Sequence, residues 1–241
     1  MQALIDGDIL VYRIGFSSNN VNWPICRSRV DEFLENLLLF QLTDVEDYEG
    51  WLTSGEHNFR NAIAKTQPYK GQRKGDKPVH YAAIRNYLVN EWGFKVETEQ
   101  EADDAIGIRA TELGDDCIIC TIDKDLDNIP GWHYNFVKNK RYHVSIESAL
   151  RNFYLQILTG DRIDNVQGLR GIGPVKGQRI LDDGGEVCGS REYYERCVKA
   201  YAGDRDRVIE NGQLLWIRTK PGEIWQPPAE VTEEINDTSI S

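Results

Sequence analysis

Short apolar runs alternate with segments of helical periodicity through the first part of the chain. Residues 2–6 form an apolar run that ends in an aspartate, as is typical of a buried strand that carries a carboxylate at its end. Similar runs predict strands at residues 51–53, 94–98 and 116–122, and apolar residues at helical spacing predict helices at residues 30–38, 79–92 and 103–113. This alternation predicts an α/β fold with a mostly parallel sheet flanked by helices.

The pattern changes to helices alone beyond Ser145. Helices are predicted at residues 146–159, 174–181, 191–202 and 204–217. Residues after Pro221 are rich in proline, glutamate, serine and threonine, which predicts an extended and frayed tail. We therefore expect an α/β core at residues 1–145, a helical region at residues 146–220 and a tail at residues 221–241.

Composition predicts a cytoplasmic protein with no membrane partner. A chain of 241 residues can bury one substantial core, with a small added lobe. It contains no run of about 18 apolar residues that would span a bilayer, and its first residues lack the pattern of a signal peptide. The five cysteines are scattered, which argues against a disulfide framework. Cys117 and Cys120 lie three residues apart in a predicted strand and should face opposite sides of it.

The net charge of −11 argues at first against a nucleic-acid partner, because duplex binding usually draws on a basic surface. However, carboxylates gathered around bound cations make a chain acidic while the site itself is partly neutralised. Basic residues cluster at residues 65–77, 138–141 and 170–179, although each such cluster alone is more often a solvated surface. The first cluster also contains Tyr69, which suits base stacking combined with phosphate contact.

Acidic side chains follow several of the predicted strands. They are Asp6 and Asp8 after the first strand, Glu101, Asp103 and Asp104 after the third, and Asp123 and Asp125 after the fourth. Because parallel strands end at one edge of a sheet, these carboxylates should converge there and raise each other's pKa unless cations are bound. Mg²⁺ and Mn²⁺ prefer oxygen ligands, and no cluster of histidine and cysteine indicates zinc. Taken singly, each pair could instead stabilise a helix N-terminus or a turn.

One short segment, residues 158–176, combines two features of phosphate chemistry. Asp161 and Asp164 are spaced to point the same way and share a hard cation. The glycines of Gly171-Ile172-Gly173 would expose backbone N–H groups to a nucleic-acid phosphate just before a new helix. The simpler alternative is a helix N-cap followed by an ordinary glycine turn.

These motifs resemble, in their order along residues 3–182, the 5′-nuclease superfamily of flap endonucleases and 5′→3′ exonucleases, and most of all its bacteriophage members. The motifs that carry the resemblance are Leu4-Ile-Asp6-Gly-Asp8, Tyr69-Lys70-Gly-Gln-Arg73, Glu101-Ala-Asp103-Asp104, Thr121-Ile-Asp123-Lys-Asp125, and the segment from Gly160-Asp161-Arg-Ile-Asp164 to Gly171-Ile-Gly173. The resemblance implies a PIN-like α/β core, a helix–three-turn–helix at about residues 153–181, and a short helical gateway at about residues 69–92.

The resemblance also implies roles for individual residues. The positions of a two-metal site fall on Asp6, Glu101, Asp103, Asp104, Asp123, Asp125, Asp161 and Asp164. Lys70 and Arg73 take the catalytic positions that contact the scissile phosphate, and Tyr69, Gly171, Gly173 and Lys176 take DNA-binding positions, with Arg179 beside them. Mg²⁺ is the expected metal, Mn²⁺ its expected substitute, and K⁺ a further expected ion at the helix–three-turn–helix.

The second strand departs from the family pattern. Members of the family usually carry an aspartate there, shortly before the Phe-Arg that is Phe59-Arg60 in this chain, whereas this strand runs into Ser54 and Glu56. Serine is a poorer ligand for a hard cation than a carboxylate, so either Glu56 replaces the aspartate or one metal keeps an additional water. The interval from Arg73 to Glu101 is also short, which favours exonucleolytic trimming over the cleavage of long flaps.

The resemblance therefore implies a Mg²⁺-dependent 5′→3′ exonuclease or flap endonuclease that acts on DNA with a 5′ end or flap. A role in phage DNA replication or degradation, in the cytoplasm of a host, and activity on RNA primers or RNA:DNA hybrids are further expectations. Two alternatives remain open from the residues. A PIN-type RNA endonuclease would share the acidic site but not the downstream glycine turn. A non-catalytic DNA-binding module would explain the turn but not the carboxylates.

Overall fold

A computed structural model of the chain describes residues 1–55, 57–72, 75–183 and 189–229. Within these ranges, no helix combines the length and the apolar composition needed to cross a membrane. Glu56 and Arg73, both singled out from the sequence, lie outside the described residues, as do residues 230–241 of the predicted tail.

A six-stranded sheet in the order β3-β2-β1-β4-β5-β6 forms the centre of the core. The strands are β1 (Gln2–Asp6), β2 (Asp47–Thr53), β3 (Lys95–Glu97), β4 (Cys117–Cys120), β5 (Gly131–Asn135) and β6 (Lys140–Val144). Strands β1 to β5 pair in parallel, and β6 pairs antiparallel with β5. Because β1 lies between β2 and β4, the residues that follow these three strands meet at one edge of the sheet. The predicted mostly parallel α/β sheet is confirmed.

Helices cover both faces of this sheet. They are α1 (Gly7–Ser17), α2 (Trp23–Glu35), α3 (Arg60–Ile63), α4 (Tyr81–Trp92) and α5 (Ala102–Leu113), with a π-helical turn at Asn36–Gln41 after α2. One apolar cluster contains Ile5 and Cys120, and the cluster on the other face contains Leu4 and Cys117. The two cysteines therefore face opposite sides of β4, as predicted, and the cysteines within the described residues are free.

A second group of helices packs around its own apolar cluster. It consists of α6 (Ile146–Thr159), α7 (Pro174–Leu181), α8 (Ser190–Ala200) and α9 (Arg205–Leu215), with a two-stranded ladder of β7 (Gly160–Asp161) and β8 (Val166–Gln167) between α6 and α7. The ladder brings two glycines so close that a Cβ on Gly160 would lie 2.2 Å from the backbone nitrogen of Gly168. Larger residues at these positions would displace the ladder, and with it Asp161 in β7 and Asp164 in the loop that follows.

Three parts of the fold differ from the sequence-based predictions. The β5–β6 hairpin was not predicted. The gateway is helical only in α4, because Pro68, Gly71, Gly75 and Pro78 disfavour a helix in the described residues before it. The start of the predicted frayed tail is packed, since Trp225 is only 7% exposed, with its ring centroid 5.4 Å from that of Phe153.

Candidate active site

Asp6 stands at the centre of the edge where the parallel strands end. It caps α1 by accepting a hydrogen bond from the Ile9 backbone N–H, at 3.1 Å, and it accepts another from the hydroxyl of Thr121, at 2.7 Å. Burial and the charges of Asp8 and Asp123 raise the pKa of Asp6 to about 7. The carboxyl group at the end of β1 is thus held in place by two hydrogen bonds, although burial and nearby charges disfavour its ionised form.

Asp8 lies in the first turn of α1. The groups that hold its carboxylate were not singled out in the sequence analysis. Its carboxylate accepts a hydrogen bond from the backbone N–H of Thr53, at 3.1 Å, and pairs with the guanidinium of Arg85, at 3.1 Å. Arg85 also donates to the carbonyl of Thr53, at 2.8 Å. Burial raises the pKa of Asp8 even though these partners favour its ionised form. Arg85 therefore ties α4 to the end of β2.

Asp103 completes the central group of carboxylates from the first turn of α5. Its pKa is raised by burial and by the charges of Asp6, Asp123 and Glu101. These effects on Asp103 indicate that the carboxylates at the end of β1, after β4 and at the start of α5 lie near one another. The structure thus places three of the predicted metal-site residues, Asp6, Asp103 and Asp123, along the same edge of the sheet.

Asp104 is arranged differently from its neighbour. It is fully buried, and its two oxygens lie 2.6 and 2.8 Å from the guanidinium of Arg60. It also accepts hydrogen bonds from the backbone N–H groups of Glu101 and Arg218. The prediction that Asp104 is a metal ligand needs correction in this structure, because its oxygens already bind these donors.

Asp125 and the aspartates after α6 form the other side of the site. Burial and the charges of Asp123, Asp161 and Asp164 raise the pKa of Asp125 to about 7. Gln156 of α6 donates to Asp125 at 2.5 Å and fixes its orientation. Asp123 thus has carboxylate neighbours on both sides, so the two groups of acids form one continuous site.

Asp161 ends β7, and Asp164 lies in the tight loop between β7 and β8. One oxygen of Asp161 accepts hydrogen bonds from the backbone N–H groups of Ile163, at 2.5 Å, and Asp164, at 2.9 Å. Asp161 therefore shapes the loop that presents Asp164. The charges of Asp161 and Asp164 both raise the pKa of Asp125, so the predicted pair lies near that residue.

Tyr69 and Lys70 connect the two sides of the site. The Tyr69 hydroxyl lies 2.8 Å from an oxygen of Glu101 and 2.6 Å from an oxygen of Asp164. The Lys70 ammonium forms an ion pair with Glu101 and lies 3.6 Å from Asp164. Tyr69 is only 7% exposed, so the prediction that its ring stacks on DNA bases is wrong for this structure.

The chemistry of these oxygens fits hard divalent cations. Asp6 is buried and Asp103 and Asp125 are half-buried, and desolvation together with neighbouring carboxylates raises the pKa of each, which is the environment that a bound cation would relieve. Across the described residues, no three acidic, histidine or cysteine side chains are already gathered as a metal-binding group. Such an open arrangement is expected where like charges repel. Ser54, which follows β2, contributes no carboxylate, and Glu56 lies outside the described residues.

The glycine turn before α7 has the shape expected of a phosphate anchor. Gly171 adopts a left-handed φ of 78°, and neither Gly171 nor Gly173 would bring a Cβ within 4 Å of another group. Lys176 in the first turn of α7 donates to the carbonyl of Gly171, at 3.1 Å. The backbone here is exposed and accessible to a large anion.

Two basic grooves lie beside these elements. One, of about 380 Å³, runs from Asp123 past Lys124 to Lys138 and Lys140 at the β5–β6 turn. Another, of about 720 Å³, lies beside the glycine turn and is lined by cations from distant parts of the chain, namely Arg170, Arg179, Arg196 and Lys199. The predicted basic clusters at residues 138–141 and 170–179 contribute to these grooves, whereas Arg196 and Lys199 were not predicted.

Comparisons with known proteins give partial sequence matches. No protein-family profile matches the chain. DNA polymerase I of Rhizobium leguminosarum is 35% identical over 107 residues, and Flap endonuclease Xni of Shewanella piezotolerans is 31% identical over 141 residues. These alignments cover 38% and 50% of this chain. The chain spans 10% of the first relative and 55% of the second.

Solved structures match over most of the chain. The bacteriophage T5 flap endonuclease in complex with DNA and metal ions has a TM-score of 0.64 at 20% identity, covering 89% of this chain and 88% of that one. The catalytic core of Rad2 with a DNA substrate has a TM-score of 0.53 at 17% identity, covering 92% and 79%. The chain has the fold of the 5′-nuclease superfamily. The resemblance inferred from the motifs is thereby confirmed. Within this 5′-nuclease fold, the roles of the individual site residues and the domain division remain predictions.

Proposed function

We propose that the protein is a metal-dependent, structure-specific nuclease that hydrolyses phosphodiester bonds in DNA with a 5′ end or flap. The observation that carries this proposal is the position of Asp6, Asp103 and Asp123 at one edge of a parallel sheet, where burial and neighbouring carboxylates raise the pKa of Asp6 and of Asp103. The 5′-nuclease fold and the partial similarity to a flap endonuclease support it.

Two metal ions, Mg²⁺ with Mn²⁺ as a substitute, are proposed for this site. The residues that would hold them are Asp6, Glu101, Asp103, Asp123, Asp125, Asp161 and Asp164. Asp104, with its oxygens bound to Arg60, would serve to position the start of α5. When bound, paired divalent cations supply Lewis acidity to the scissile phosphate and lower the pKa of water.

The cations of the chain would act on the phosphate itself. Lys70 is only 20% exposed and lies among the carboxylates, so its ammonium needs a short movement to reach a phosphate bound at the same site. Positive charge placed in a buried site stabilises the additional negative charge of the transition state. Arg73, three residues further, is proposed for the same role on the basis of the motif alone.

The turn at Gly171–Gly173 would hold a backbone phosphate of the duplex away from the cut. The N–H groups of its two glycines and the nearby Lys176 would contact phosphate rather than base edges, so the enzyme would recognise DNA shape rather than sequence. A K⁺ ion at this turn is a further proposal from the family resemblance. The short gateway favours trimming from a 5′ end, and RNA:DNA hybrids are proposed as additional substrates.

The test uses 5′-labelled and 3′-labelled substrates with the wild-type protein. A flap, a nicked duplex, an RNA:DNA hybrid and a single-stranded RNA are each incubated with Mg²⁺, with Mn²⁺ and with EDTA, and an Asp123→Asn variant serves as the control. We expect cleavage of the nucleic acids with a 5′ end at a duplex, only with metal and not by the variant. Mononucleotide release would indicate exonuclease action, and one longer product would indicate flap cleavage.

The rival functions give different results in the same assay. A PIN-type RNA endonuclease would cut the single-stranded RNA and leave the DNA flap intact. A DNA-binding module would bind the flap without cutting it under any metal condition. Either outcome would overturn the proposed nuclease function. Location in the cytoplasm and a role in phage DNA metabolism remain predictions from the sequence.

A further inference from the structure

The ammonium of Lys70 lies between carboxylates that come from two different parts of the fold. It forms an ion pair with Oε1 of Glu101, which precedes α5, and its Nζ lies 3.6 Å from Oδ1 of Asp164, which lies in the loop between β7 and β8. The Glu101 side chain is 11% exposed and that of Asp164 is 15% exposed. A positive charge of the chain thus occupies the part of the acidic site where metal cations are proposed to bind.

The backbone around Lys70 is held in the position that creates this arrangement. The Lys70 N–H donates to the carbonyl of Asp164, at 2.9 Å, and Asn165 donates to the carbonyl of Pro68, also at 2.9 Å. The Tyr69 hydroxyl reaches the second oxygens of Glu101 and Asp164. Lys70 itself has a left-handed φ of 55°, which is unfavourable for a side chain of this size. The docked segment therefore maintains a backbone conformation that lysine would rarely adopt alone.

The Lys70 charge favours the ionised form of Glu101. Burial opposes ionisation of Glu101, but the charges of Lys70 and Arg60 outweigh burial and lower the pKa of this carboxyl. In contrast, Asp103 and Asp125 have raised pKa values. The acidic site is thus neutralised on the Glu101–Asp164 side by the chain's own cation, whereas the main charges that act on Asp125 are those of other carboxylates.

We propose that Lys70 is the resident counter-ion of the acidic site and competes with divalent cations for it. Cations close together repel, so a divalent ion entering among these carboxylates would weaken the hold of Glu101 and Asp164 on the ammonium. The released ammonium would then be free to meet the phosphate of a substrate. This inference rests on the proposed metal-dependent function and adds that metal binding and the position of the Tyr69–Lys70 segment are linked.

Linkage makes the inference testable without any cleavage assay. If metal binding displaces Lys70, removal of its charge must strengthen metal binding, because coupling between two events is reciprocal. If Lys70 instead stays on Glu101 throughout, removal of its charge strengthens metal binding only by relief of Coulombic repulsion, to an extent similar to the removal of another nearby lysine. The two cases also predict different accessibility of Lys70 when metal is present.

The first experiment measures Mn²⁺ binding by isothermal titration calorimetry for the wild type, Lys70→Met and Lys124→Met. Lys124 is an exposed lysine between Asp123 and Asp125, so it controls for the loss of one nearby positive charge. We expect Lys70→Met to bind Mn²⁺ about fivefold more tightly, at the lower end of typical coupling, with a smaller gain for Lys124→Met. Equal affinity in the wild type and Lys70→Met, or equal gains in both variants, would overturn the inference.

The second experiment needs no variant, so it holds even if Lys70→Met folds poorly. Wild-type protein is acetylated briefly with and without Mn²⁺, and the modification of each lysine is measured by mass spectrometry. Lys95, whose side chain is 58% exposed and lies outside the site, is the internal control. We expect metal to increase the modification of Lys70 at least twofold relative to Lys95, as a released side chain would allow. Unchanged or reduced modification of Lys70 would overturn the inference.

These outcomes separate the inference from the proposed function. A wild-type protein that binds no Mn²⁺ would overturn the metal-dependent function, and the inference with it. A wild-type protein that binds Mn²⁺ and cleaves DNA, but whose Lys70 responds to metal in neither experiment, would retain the proposed function and lose only the role of Lys70 as a counter-ion.

Discussion

The guanidinium of Arg60 faces the carboxylate of Asp104 with two parallel contacts, of 2.6 Å from Nη1 and 2.8 Å from Nη2. Both side chains are almost fully buried, at 3% and 0% exposed. Arg60 also donates to the carbonyls of Leu214 and Trp216, at 3.0 and 2.7 Å. This one side chain therefore joins the start of α3, the start of α5 and the end of α9, which ties the acidic site to the helical region.

Removal of one partner of this pair should destabilise the protein strongly. We expect Arg60→Gln or Asp104→Asn to lower the free energy of unfolding by about 3–5 kcal/mol, because a buried charge is left without its partner. Urea unfolding followed by circular dichroism measures the loss. Arg151→Gln breaks the exposed pair with Asp182 and serves as the control, for which we expect a smaller effect. A loss for Arg60→Gln no greater than for this control would contradict the role assigned to the pair.

The sequence was sufficient for those parts of the site that depend on strand direction. Once the strands before Asp6 and Asp123 are recognised as parallel, both residues must lie at one edge of the sheet, and the structure places them there, after the neighbouring strands β1 and β4. The bounds of α6 and α7 were also predicted, because their apolar spacing and their flanking Ser145 and Pro174 mark the helix starts.

Contacts between distant residues could not be predicted in this way. Arg60, Arg85 and Asp104 differ from other arginines and aspartates only in what surrounds them after folding, and periodicity carries no information about that. Tyr69 illustrates the same limit, because a tyrosine among cations suggests an exposed stacking surface, yet its ring is buried in the apolar cluster of the helical region. The β5–β6 hairpin was missed because its exposed residues interrupt the apolar pattern.

Asp161→Asn and Asp164→Asn should each remove most turnover while DNA affinity remains close to wild type. Each substitution removes one carboxylate from the side of the site that contains Asp125, whereas the glycine turn that would anchor the duplex is unchanged. Single-turnover cleavage and fluorescence anisotropy of a flap substrate, measured with Ca²⁺ for binding, give the two quantities. Cleavage at the wild-type rate by both variants would contradict the assignment of this pair to the metal site.

Lys70→Ala should lower the rate of the chemical step by roughly 10²-fold, the scale of losing one charge contact to a transition state. Saturating enzyme and Mg²⁺ in a single-turnover assay exclude effects on binding. Lys77→Ala provides a control in the same basic segment, because Lys77 lies over the ring of Tyr81 rather than among the carboxylates. A Lys70→Ala rate within twofold of the Lys77→Ala rate would leave Lys70 without a catalytic role.

Ser54→Asp should lower the Mg²⁺ concentration required for half-maximal activity. Ser54 follows β2, and its N–H donates to the carbonyl of Glu97, at 2.7 Å, which extends the pairing of β2 with β3. A carboxylate at this position would add an anionic ligand at the same sheet edge. The parallel variant Glu56→Gln should raise the required Mg²⁺ concentration if Glu56 supplies that ligand in the wild type. Titration curves superimposable on the wild-type curve for both variants would mean that this segment does not contribute to metal binding.

The two glycines of the turn before α7 allow backbone strain to be separated from phosphate contact. Gly171 has a left-handed φ of 78°, so Gly171→Ala should cost roughly 1 kcal/mol of stability as well as DNA affinity. Gly173 has an extended backbone, with φ −100° and ψ −178°, and an added Cβ would meet no atom within 4 Å. Gly173→Ala should therefore fold normally but bind DNA more weakly, because the methyl group occupies space needed by a phosphate.

Thermal unfolding and anisotropy with a flap substrate distinguish these effects, and Lys176→Ala adds a third comparison. We expect Lys176→Ala to reduce the slope of log affinity against log salt concentration by about one, the value for one lost phosphate contact. The reduction should be the same for every DNA sequence. Because Lys176 donates to the carbonyl of Gly171, its ammonium already lies beside the turn and requires little reorganisation to meet a phosphate there. If Gly173→Ala and Lys176→Ala both bound DNA with wild-type affinity and salt dependence, the duplex would have to be anchored elsewhere, and the basic groove lined by Arg196 and Lys199 would be the next surface to test.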